Sequence, residues 1–104
     1  MKVITTIQEM VEPIFKKSIE VYGKEAQSRQ AMEECAELIQ AINKCLRYQN
    51  KEECKNNLIE EICDVEIMLF QLKEMFGITN EAVESYKLLK AKREKERLKD
   101  YGKK

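Results

Sequence analysis

A chain of 104 residues with 37% charged and 7% aromatic side chains, one proline and three glycines has the length of one domain and a helical composition, which excludes a β-sandwich. Its formal net charge is zero but segregated: residues 31–86 carry twelve acidic and five basic side chains, residues 87–104 nine basic and three acidic. Without a histidine or a CxxC pair, the chain has no zinc-site spacing, no Glu-x-x-His di-iron site and no Ser-His-Asp triad.

Four helices are predicted. The first lies within residues 4–22, where Pro13 either kinks it or starts a second segment, and Gly23 ends it. The second runs from about Lys24 to Tyr48. The third starts at Asn50, a cap with Glu53 three residues on, and ends at Gly77 as a C′ residue. Thr79 or Asn80 caps the fourth, which opens with Glu81 and Glu84 and closes in a basic run, the order that suits the helix dipole. Short connections favour antiparallel neighbours, so the expected fold is all-α, a four-helix bundle spanning residues 1–104.

The middle helices carry apolar seams. Ala31, Cys35, Leu38, Ile42 and Cys45 recur at steps near 3.5, as do Leu58, Ile62, Val65, Leu69, Leu72 and Phe76. One residue before seam positions stand Glu34, Glu37, Glu61 and Asp64, so that two acidic stripes are expected to flank one side of the packed pair. Carboxylates three apart share a helix face, and two such pairs facing each other offer the hard oxygen ligands that suit Mg²⁺ or Mn²⁺. Crowded and partly dehydrated, they would repel, and a divalent cation removes that conflict. The competing reading makes them ordinary solvated helix surface.

The order Glu34-x-x-Glu37, a gap of 23 residues, then Glu61-x-x-Asp64, within "EECAELIQAI" and "EEICDVEIML", resembles the MazG-like all-α nucleoside triphosphate pyrophosphohydrolases. The likeness covers about residues 25–76 well and the tail loosely. It implies a helical bundle completed as a homodimer or homotetramer, and Mg²⁺-dependent hydrolysis of an NTP or dNTP to the monophosphate and pyrophosphate. By motif position, Glu34, Glu37, Glu61 and Asp64 would hold the metal, and Glu33 is a water-activating base or a solvated glutamate. Gln71, on the ligand stripe one heptad past Asp64, touches sugar or phosphate or is a partly exposed seam residue. Lys87, Lys90 and Arg93 resemble a phosphate-contacting tail. There is no Trp platform for a base, which leaves Tyr22, Tyr48 and Phe15 as stacking candidates or core residues.

A different class of reading is a non-catalytic helical interaction or regulatory module, and a third makes the basic tail a nucleic-acid arm, for which its acidic interruptions and single aromatic are weak support. Cys35, Cys45, Cys54 and Cys63 are expected as reduced thiols at core or boundary positions. Neither a signal peptide nor a membrane span is visible, and a cytoplasmic location is expected.

Overall fold

The computed structural model describes residues 2–47 and 51–102, with side chains from Thr6 onward. Four helices follow one another: α1 (Lys2–Tyr22), α2 (Lys24–Arg47), α3 (Lys51–Phe76) and α4 (Asn80–Tyr101), with no strand among the described residues. No helix is long and apolar enough to cross a membrane among them. The expected cap Asn50 and the aromatic Tyr48 lie outside the described residues.

Local chemistry sets the helix ends. α1 runs through Pro13 without dividing. Gly23 stops it at φ 94°, a left-handed conformation costly for other residues, with its N–H bonded to the Ile19 carbonyl at 2.8 Å. At the end of α3, Gly77 takes φ 65° and the Ile78 N–H reaches back to the Lys73 carbonyl at 2.9 Å, the closure of a Schellman turn. Thr79 rather than Asn80 caps α4, its hydroxyl accepting from the Ala82 N–H at 3.1 Å.

α2 and α3 form an antiparallel pair: Gln27 near the start of α2 meets Gln71 near the end of α3, and the Lys44 carbonyl meets Cys54 at the other end. α1 lies against both helices and is tied to α3 by the Phe15 carbonyl and a surface ion pair, Lys16 to Glu74 at 3.8 Å. The Lys24 ammonium stands 4.2 Å from the centre of the Phe76 ring, joining the open ends of α2 and α3. α4 behaves differently. After a contact at its start, Lys73 Nζ to Asn80 Oδ1 at 3.1 Å, it leaves the body, and every described side chain on it is exposed except half-buried Val83. The expected four-helix bundle is therefore a three-helix body with one projecting helix. Charge on every face of α4 leaves it no apolar stripe to bury.

The packed register of α2 and α3 also differs from the expected one. Along α2 the shielded positions include Gln27, Gln30, Ala31, Glu34, Leu38, Ala41 and Cys45; along α3 they include Cys54, Asn57, Glu61, Asp64, Met68, Gln71 and Met75. The carboxylates Glu34, Glu61 and Asp64 thus lie within the seam and do not flank it. Of the expected seam, Ala31, Leu38, Cys45, Leu58, Val65 and Leu72 are shielded, whereas Cys35, Ile42, Ile62, Leu69 and Phe76 are exposed. Small Ala31 and Ala41 let the two helices approach closely, which favours this register.

Gln71 is the largest fully buried side chain, 1% exposed. Its amide donates to the Phe15 carbonyl at 2.9 Å and accepts from Gln27 Nε2 at 2.8 Å, joining all three packed helices. Gln71→Ala would leave the Gln27 donor and the Phe15 carbonyl unsatisfied beside a cavity. A loss of about 2–3 kcal/mol is expected from the denaturant midpoint; a change below about 0.5 kcal/mol would show that the bridge does not hold the helices together.

The body is open. Its accessible surface is 8947 Å², whereas a compact chain of 12.3 kDa exposes about 6,100 Å². The radius of gyration is 17.2 Å, against about 13 Å for a compact domain of this length.

Candidate metal centre

Halfway along the α2–α3 seam, one carboxylate oxygen from each of Glu34, Glu61 and Asp64 lies within 4.8 Å of the others. Helical spacing explains the convergence: Glu61 and Asp64 share one face of α3, and Glu34 meets them from the antiparallel helix. All three are half-buried. Gln30, one turn before Glu34, donates its Nε2 to Glu34 Oε1 at 2.8 Å and fixes that carboxylate.

The other oxygens are left without donors. Glu34 Oε2 and Glu61 Oε2 are both shielded from solvent and accept no hydrogen bond. A shielded carboxylate oxygen without a donor is costly. Burial is the main cause that raises the Glu34 pKa, opposed by the Gln30 hydrogen bond and reinforced by Asp64 and Glu37. Burial likewise leads the rise at Glu61, followed by Glu37, Asp64 and Glu60. A divalent cation fits this donor set: the ligands are all oxygen, two of them lack any partner, and their mutual repulsion disappears when a positive charge sits among them.

Of the four expected ligands, three converge and Glu37 stands at the edge. It is exposed, outside the trio, yet it is the foremost charged neighbour of Glu61. Glu33 is exposed on the neighbouring face of α2 and takes no part in the trio. The expectation that Gln71 contacts a nucleotide is corrected, because its amide is buried and committed to Gln27 and Phe15. Lys90 and Arg93 lie on the projecting part of α4, whereas Lys87, paired with Glu84 at 3.3 Å, borders a cleft with Glu12 of α1 and Glu66 of α3. Within one chain these cations do not cover the carboxylates. Tyr22 is exposed, and half-buried Phe15 lines an apolar groove with Ile7, Val11, Ile67 and Phe70.

Two polar residues that the sequence reading passes over, Gln27 and Gln30, stand seven and four residues before Glu34. That spacing was a usable signal: a seam accepting glutamine at heptad distance from an acid is polar along its length.

The raised pKa values give a pH dependence of unusual sign. Between the ordinary glutamate value of about 4.3 and their folded values, Glu34 and Glu61 hold more protons in the folded than in the unfolded chain. Their contribution to stability is complete below about pH 4.3 and is lost as pH rises through the folded values. In metal-free protein, melting temperature should therefore fall from pH 5 to pH 7.5 relative to a Glu34→Gln/Glu61→Gln variant. Millimolar Mg²⁺ should restore it at pH 7.5 and do less as pH falls, because only the deprotonated carboxylates bind metal. Parallel melting curves for the two proteins at all pH values would show that the pair is solvated.

Comparison with family models, curated proteins and solved structures found no match to this chain.

Proposed function

We propose that this chain is a Mg²⁺-dependent nucleoside triphosphate pyrophosphohydrolase of MazG-like type, cleaving an NTP or dNTP to the monophosphate and pyrophosphate. The observation that carries the reading is the seam trio, three carboxylates within 4.8 Å that include two shielded oxygens without a donor. The ordered acidic pairs that resemble the MazG-like motif helices add the reaction class.

In this reading Glu34, Glu61 and Asp64 hold Mg²⁺, or Mn²⁺ in its place, with Glu37 completing the set from the edge. The cation would supply charge neutralisation at the phosphates and lower the pKa of an attacking water. The chain's own residues do the rest. Gln30 fixes the Glu34 carboxylate through its 2.8 Å hydrogen bond. Glu33, exposed and adjacent to Glu34 in sequence, is the base that takes the proton of the attacking water in this reading. Lys87, Lys90 and Arg93 meet the triphosphate only in an assembly, where α4 of one copy reaches the site of another, because within one chain α4 projects away. The working form is accordingly a homodimer or homotetramer, supported by the exposed apolar residues of α1, α2 and α3.

The test is a screen of the canonical and several modified NTPs and dNTPs with Mg²⁺, assayed for both products. Pyrophosphate and monophosphate appearing together supports the reading. Orthophosphate as the first product, or no turnover of any nucleotide, contradicts it.

A further inference from the structure

At the turn end of the α2–α3 pair, two thiols come together. Cys45 lies in the last turn of α2 and Cys54 in the first turn of α3, both half-buried and both free. The Cys54 sulfur stands 3.9 Å from the carbonyl oxygen of Lys44, the residue before Cys45, and Cys54 is the ionisable neighbour that helps to raise the Cys45 pKa. Ala41, one turn earlier and 2% exposed, keeps the helices close at this level. A surface groove lined by Lys44, Glu53, Cys54, Asn56, Asn57 and Glu60 opens beside Cys54 and admits a small oxidant.

We propose that Cys45 and Cys54 form an oxidation-sensitive dithiol, which peroxide converts to a disulfide clip across the turn end of the α2–α3 pair. One thiolate attacks a peroxide oxygen and breaks the O–O bond, giving a sulfenic acid and water. The second thiol then loses its proton and attacks the sulfenic sulfur, and the departing hydroxide leaves as water. Overall, two thiols and one hydrogen peroxide give one disulfide and two waters. Burial, and then the neighbouring Cys54, raise the Cys45 pKa, so Cys45 must lose its proton before it attacks in either step. A clip here closes a short loop and lies about 10–12 Å along the helix axes from Glu37 and Glu61. It would stiffen the helix pair that carries the carboxylates without touching them. Cys35 and Cys63 are exposed and have no such neighbour described.

The proposal is independent of the hydrolase reading and is tested on the full chain. Peroxide-treated protein is alkylated, digested with trypsin and analysed by mass spectrometry without reduction. The expected product joins the peptides Cys45–Arg47 and Glu52–Lys55, with both cysteines protected from alkylation. It should persist in a Cys35→Ser/Cys63→Ser variant and vanish in Cys45→Ser and in Cys54→Ser. Oxidation should raise the melting temperature of the Cys35→Ser/Cys63→Ser variant by roughly 10 °C, reversibly with dithiothreitol. Full alkylation of Cys45 and Cys54 after peroxide, or linkage of either to another cysteine as the main product, overturns the proposal.

Discussion

Asp64→Asn is expected to lower nucleotide turnover by about 100-fold or more while leaving the chain folded. The substitution keeps volume and hydrogen-bonding capacity but takes one negative charge from a trio whose oxygens lie within 4.8 Å. In a cation site that charge is needed for binding, so activity falls. In metal-free protein it repels Glu34 and Glu61, whose pKa values it helps to raise, so stability should be equal or higher. Opposite signs for activity and stability separate a functional carboxylate from a structural one. Glu61→Gln should behave in the same way, because its unpartnered oxygen is relieved by losing the charge. A variant that unfolds, or one that turns over at the wild-type rate, contradicts the cation site.

The second large effect concerns assembly. Met32, Cys35, Ile39, Ile42 and Leu46 recur at three- and four-residue steps along the outer face of α2 and are all exposed, Ile39 at 67% and Leu46 at 82%. Ile59, Ile62, Leu69 and Phe76 are exposed on α3. In the proposed assembly these stripes, on a chain whose surface is well above that of a compact chain of this mass, are buried between copies. Ile39→Asp is expected to weaken self-association by about 100-fold or more, since an unpaired charge would enter an apolar interface. Sedimentation at micromolar concentration should find the wild type associated and the variant dissociated. A monomeric wild type would remove this part of the proposal and, with it, the delivery of Lys87, Lys90 and Arg93 to the carboxylates.

The same stripes explain what could be read from the sequence. Helix ends were legible because Gly23, Gly77 and Thr79 act through local backbone chemistry. The near-3.5 period of α2 and α3 was legible too, and so were the acidic pairs. The register was not. Apolar periodicity marks a face that seeks burial without saying against what, and the stripe holding Cys35, Ile42, Ile62 and Leu69 faces away from the intrachain contact. The face that does pack keeps part of the expected seam, with Ala31, Leu38, Leu58, Val65 and Leu72. To these it adds Met68 together with Gln27, Glu34, Ala41, Glu61, Asp64 and Gln71, polar and small residues that hydropathy alone ranks as surface. Gln71 was misread for the same reason, since a glutamine at a seam is buried only when its partners, here Gln27 and the Phe15 carbonyl, are known. α4 was legible as a helix, but its charge on all faces leaves its packing unspecified.

Titration of the metal-free protein with Mn²⁺ at neutral pH and low salt, followed by loss of the free-ion paramagnetic resonance signal, asks most directly whether the seam carboxylates hold a divalent cation. Wild-type protein should bind Mn²⁺ saturably, release it to Mg²⁺, and bind more weakly as pH falls toward the raised Glu34 and Glu61 carboxyl range. Glu61→Gln should lose that binding. Equal Mn²⁺ uptake by wild type and Glu61→Gln would contradict a cation site at Glu34, Glu61 and Asp64.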